Sequence, residues 1–137
     1  MTQPFIDTDV IIRLLTGDDP DKQAAAAHLF EQVEQGLLAI QAPDTVIADA
    51  VYVLSSPRLY HLARSDIRDM LTDLVRLSQF HVHNRWSVVR ALELYASTKL
   101  DFGDTLIIAS MEHQGSHLLY SYDKDFDRIE SITRQEP

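Results

Sequence analysis

Phe5-Ile6-Asp7-Thr8-Asp9-Val10-Ile11-Ile12 joins two apolar segments through a carboxylate. Pro4 to Asp7 reads as a strand, and Thr8 to Leu15 as a short helix stopped at Gly17. The same alternation continues along the chain. Leu37 to Gln41 reads as a second strand, followed by a helix that Pro43 and Asp44 open and that runs through Leu54. Phe80 to His83 is the third, with Asn84 leading into a helix that carries Val88, Val89, Leu92, Leu94 and Tyr95. His117 to Tyr122 is the fourth, and Glu130 to Thr133 the candidate fifth.

Three more helices fill the intervals. One starts at Asp19-Pro20, with proline in its first turn, and ends near Gly36. Ser65 reads as the N-cap of a second, Asp66 to Leu77, where Ile67, Met70, Leu71, Leu74 and Val75 repeat with a period near 3.6. Asp104 reads as the cap of a third, Thr105 to His113, stopped at Gly115. Strands separated by helices predict an α/β fold. The expected form is a three-layer α/β/α sandwich around a central parallel sheet of four to five strands. With 137 residues, one domain spanning 1–137 is expected.

Composition narrows the function. No stretch approaches the roughly 20 apolar residues that span a bilayer, and Met1-Thr2-Gln3-Pro4 lacks the basic and apolar parts of a signal peptide. A cytoplasmic protein is therefore expected. The chain has no cysteine, so any metal site must use oxygen or imidazole, which favours Mg²⁺ or Mn²⁺ over structural zinc. A net charge of −9 argues against a general nucleic-acid coat. It leaves a nuclease open, because bound divalent ions reverse charge locally.

The acidic residues form the candidate site. Asp7 stands at the end of the first strand, where sheets of this kind build their sites, and it also fits a simple N-cap. Asp49 lies inside the otherwise apolar Val46-Ile47-Ala48-Asp49-Ala50-Val51, at or near a buried stripe. Asp101 and Asp104 are spaced i, i+3: a helix starting near Asp101 points both the same way, and one starting at Asp104 leaves Asp101 in the loop. Asp123 and Asp125 follow the fourth strand and fit turn positions as well. Carboxylates are costly to bury unless paired, hydrogen-bonded or bound to metal. Several at element ends point to a divalent-metal site, where the metal lowers the pKa of a bound water and offsets transition-state charge. Arg58, Arg64, Arg68, Arg85 and Arg90 are the candidates for phosphate contact.

At these residues the chain resembles the PIN-domain family, and within it the VapC-like toxin branch, over nearly its whole length. Phe5-Ile6-Asp7-Thr8-Asp9-Val10-Ile11 matches the opening block, with Asp7 as first metal ligand and Thr8 as the hydroxyl residue that follows. Val46 to Leu54 matches the second acidic helix, Asp101 to Ala109 the third block, and Ser121-Tyr122-Asp123-Lys124-Asp125-Phe126 the closing block. The resemblance implies Asp7, Asp49, Asp104 and Asp123 as catalytic metal ligands, supported by Thr8, Asp101, Ser121 and Asp125. It implies a Mg²⁺- or Mn²⁺-dependent endoribonuclease that leaves a 3′-hydroxyl and a 5′-phosphate. It also implies an RNA substrate, a cognate antitoxin that occludes the site, and a homodimer. One departure is that Asp49 stands where the family normally has Glu, which retracts the carboxylate by about 1.5 Å, one carbon–carbon bond.

Three competing readings share these residues. Asp7-Thr8-Asp9-Val10 also fits the nucleophile motif of haloacid-dehalogenase-like phosphohydrolases, with Asp7 attacking phosphorus and Asp9 as acid. A phosphoacceptor signalling module needs an acceptor Asp at a strand end, whereas Asp49 reads as helical. A weakly active PIN fold kept for protein binding is the last.

Overall fold

The computed structural model describes residues 2–137. Its α-helices are α1 (Thr8–Leu15), α2 (Pro20–Glu34), α3 (Asp44–Ser55), α4 (Arg64–Val75), α5 (Arg85–Ser97) and α6 (Phe102–Gln114). The strands are β1 (Ile40–Ala42), β2 (Phe80–Val82), β3 (Leu118–Tyr120) and β4 (Thr133–Gln135), with a 3₁₀ turn at Lys124–Arg128. Every ladder is parallel, so the chain is an α/β sandwich in which helices connect and cover parallel strands.

Local chemistry sets many of these bounds. Asp19 caps α2 by accepting the Lys22 N–H, and Pro20 takes the first helical position, where no N–H is needed. Gly115 ends α6 with φ +70°, a conformation glycine adopts without steric cost. Asn84 takes φ +59° ahead of α5, and its amide donates to the Asp44 carboxylate at 3.0 Å, tying α5 to the start of α3.

The sheet is more divided than the sequence predicts. β1 pairs with β2 in the register Ile40–Phe80, Gln41–His81, Ala42–Val82. The expected strand Pro4 to Asp7 contracts to a single bridge between Phe5 and Gln41. There the Ile6 N–H donates to Gln41 O, and the Gln41 N–H to Pro4 O. Pro4 and Ile6 thus face β1, and Asp7 already caps α1. The opposite side offers only the polar groups of Phe5, too short an edge for a ladder. β3 pairs instead with β4, Leu118 opposite Thr133. The last strand lies at 133–135 rather than 130–133, because the Ile132 N–H closes a turn onto Ile129 O.

Two helix starts also differ from expectation. α4 begins at Arg64, with Ala63 rather than Ser65 in the cap position. α6 begins at Phe102, with Asp101 at the cap position and Asp104 inside the first turn. Phe102 is buried and packs edge-on against Tyr95, so it is drawn into the helix.

The main core is built from Ile11, Phe30, Val33, Ile40, Ile47, Leu54, Ile67, Leu71, Phe80 and Leu92 among others. Phe30 meets Phe80 edge to face at 5.6 Å. A second, smaller cluster of Leu100, Ile108 and Phe126 fastens the C-terminal ladder and its turn to α6.

Candidate metal centre

Asp7 is extended at the N-cap of α1, where its carboxylate accepts the Val10 N–H at 3.4 Å. It is exposed, and so is Asp9 one step into the helix. The Thr8 hydroxyl donates to Val46 O at 3.4 Å, fixing the start of α1 against α3. Asp49 follows Val46 by nearly one turn of α3. It faces solvent, while Ile47, Ala50 and Val51 carry the buried side. It therefore stands at the boundary of the apolar stripe, on a helix adjoining Asp7.

The second half of the constellation gathers at the start of α6. Asp101 occupies the cap position, but its side chain caps nothing; its backbone carbonyl accepts the Thr105 N–H at 3.0 Å. Its carboxylate is left free for another role. Asp104 is half-buried in the first turn. Across from it, the Ser121 hydroxyl accepts the Asp123 N–H at 3.0 Å, and the Asp123 carboxylate accepts the Asp125 N–H at 2.9 Å. These two bonds form the turn that follows β3.

Asp104 reports how crowded this corner is. Its proton affinity is raised above the ordinary carboxylate value, first by burial and then by the charges of Asp123, Asp101 and Asp125. Four acidic side chains from two distant stretches of sequence therefore share one field. Asp7 and Asp49 are not among the charges that act on Asp104. Among the described residues, no three His, Asp or Glu side chains stand close enough to hold a metal ion together. The donor set nevertheless fits a hard divalent cation in kind, being carboxylate oxygen throughout. The like charges around Asp104 are the repulsion a cation would relieve.

Most of the arginines singled out for phosphate have other work. Arg64 donates to Tyr95 O, Thr98 O, Leu100 O and Lys99 O, and its guanidinium lies 4.2 Å from the Tyr95 ring centre. Arg85 donates to Leu77 O and Phe80 O. Arg90 pairs with Glu112 and Glu93, and Arg68 with Asp69. Lys99, Lys124 and Arg128, none of them among those arginines, lie by the acidic corner: Lys99 and Arg128 share a cleft with Asp125, and Lys124 opens the turn. In the sequence, only the position of Lys99 and Lys124 beside Asp101 and Asp123 hints at this.

Parallel strands are joined and covered by helices, with acidic residues at the element ends. The PIN domain model matches residues 5–132, and the chain belongs to that family. PIN domains are commonly nucleases that act on RNA and generally use divalent metal ions. No curated protein matches the chain. Among the described residues, no helix is long and apolar enough to cross a membrane.

Proposed function

We propose that this chain is a metal-dependent endoribonuclease and the toxin of a type II toxin–antitoxin pair. The observation that carries this reading is the gathering of Asp101, Asp104, Asp123 and Asp125 around the first turn of α6 in a PIN-family chain. On this reading Asp104 would be the central ligand for Mg²⁺ or Mn²⁺ with Asp123 beside it, and Asp7 and Asp49, which stand outside the charges acting on Asp104, would complete the set. When bound, the metal supplies an acidified water and positive charge for the phosphodiester. The protein's own groups prepare the place. Thr8 holds α1 against α3, keeping Asp7 and Asp49 on adjoining helices. Ser121 fixes the turn that presents Asp123 and Asp125.

The toxin reading brings an antitoxin and a homodimer with it. Tyr52 and Leu59 are 76% and 61% exposed, and offer apolar surface for either partner.

Cleavage of single-stranded RNA in Mn²⁺ tests the nuclease. Asp104→Asn and Asp7→Asn should each lower the rate on the order of 100-fold, the loss typical of removing one transition-state charge partner. Undiminished cleavage in both variants would remove the site assignment.

A further inference from the structure

Next to the acidic corner lies a cleft of about 310 Å³ lined by Thr98, Lys99, Leu100, Asp125, Arg128 and Ile129. One wall is the loop between α5 and α6; the other is the 3₁₀ turn. Asp125 belongs both to this cleft and to the group of carboxylates acting on Asp104. Asp125 thus links the cleft to the candidate metal centre.

Its cations are available. Among the described residues, neither Lys99 nor Arg128 joins an ion pair. The carboxylate beside Arg128, that of Asp127, is taken by Arg134 at 2.8 Å. The loop wall is also held in shape. Arg64 binds the carbonyls of Thr98, Lys99 and Leu100, and Leu100 is buried in the second core cluster. Lys99 thus projects from a clamped backbone.

We propose that Lys99 and Arg128 bind a backbone phosphate of single-stranded RNA adjoining the scissile one, and lead the strand into the acidic corner. A chain of net charge −9 repels RNA at long range, so a local pair of cations beside the carboxylates is where the strand gains its electrostatic hold. This rests on the nuclease reading above.

Binding of a labelled single-stranded RNA, followed by fluorescence anisotropy in EDTA, separates the two proposals because no cleavage is needed. Lys99→Gln with Arg128→Gln should weaken binding about tenfold and flatten the dependence of log K on log salt by about 0.7 per lost phosphate contact. Lys99→Arg and Arg128→Lys should bind nearly as the parent does. In the cleavage assay the neutral variants should raise KM and leave kcat within about twofold, the pattern of lost uniform binding. Unchanged binding and salt slope in the neutral double variant would overturn the cleft while leaving the nuclease standing. A parent protein that neither binds nor cuts RNA would overturn both.

Discussion

Asp104 and Asp18 show two opposite fates of an aspartate in this fold. Asp18 accepts hydrogen bonds from the Tyr60 hydroxyl at 2.6 Å and from Thr16, and these hold its carboxyl below the usual range. Such a group adds to stability when ionised. Among the described residues no such donor reaches Asp104, which is pushed up from 3.8 by burial and three like charges. Its folded form binds a proton more tightly than the unfolded chain does. Ionising it therefore costs stability as pH rises above 3.8. Asp104→Asn should melt higher than the parent at pH 7 without divalent metal, and the gap should close as pH falls toward 3.8. Thermal melts across that range check this. A variant that melts lower at neutral pH would mean the carboxylate is held by a partner instead. A residue that lowers stability while supporting activity is what a metal ligand should be.

At the scale of elements, the end of α5 and the start of α6 depend on one side chain of α4. The last carbonyls of a helix lack partners within it. Arg64 donates to Tyr95 O in the last turn of α5 and to the carbonyl of its cap residue Thr98, and continues along the loop to Leu100, one residue before the cap of α6. Arg64→Ala should destabilise the protein by about 2 kcal/mol, the order expected when charged hydrogen bonds to part-buried carbonyls are lost. Arg64→Lys should recover only part, because an ammonium lacks the planar fork that reaches several carbonyls at once. Urea unfolding of both variants measures the difference; equal stability of the alanine variant and the parent would refute the clamp. The same contact accounts for the start of α4. Sequence placed the helix at Asp66, yet its first turn is extended back to Arg64, whose partners lie 31 and more residues away.

Across the whole molecule, the C-terminal ladder is a separate commitment. β3 and β4 pair with each other, and Phe126 with Leu100 and Ile108 forms the small core that binds them to α6. Phe126→Ala should cost about 3 kcal/mol by leaving a cavity. Because Phe126 lies outside the main core, that loss should first free residues 116–137, detected as early hydrogen exchange and proteolysis there while α1 to α5 stay protected. Uniform loss of protection along the chain would contradict this division. Asp123 and Asp125 ride on the same segment, so activity should fall with it.

What could be read in advance follows the range of the forces involved. Caps, prolines and apolar periods act within a few residues. They placed α1 at Thr8–Leu15, the proline start of α2 and the carboxylates at element ends. The parallel α/β class follows from that order, and the PIN family from the resemblance of the acidic blocks. Asp49 was recognisable as an anomaly, but which way it faced was not, since the buried side of a helix is chosen by its neighbours. That Asp104, Asp123 and Asp125 share one corner is implied by the family resemblance but not by local pattern, since about a score of residues of helix, strand and turn separate them. The sequence by itself determined the elements, the acidic residue types and the chemistry they permit. Only the tertiary structure decided which carboxylates share a field, which cations remain free beside them and where the sheet divides. Those outcomes depend on burial and Coulomb forces between segments distant in the chain, and local sequence carries no record of them.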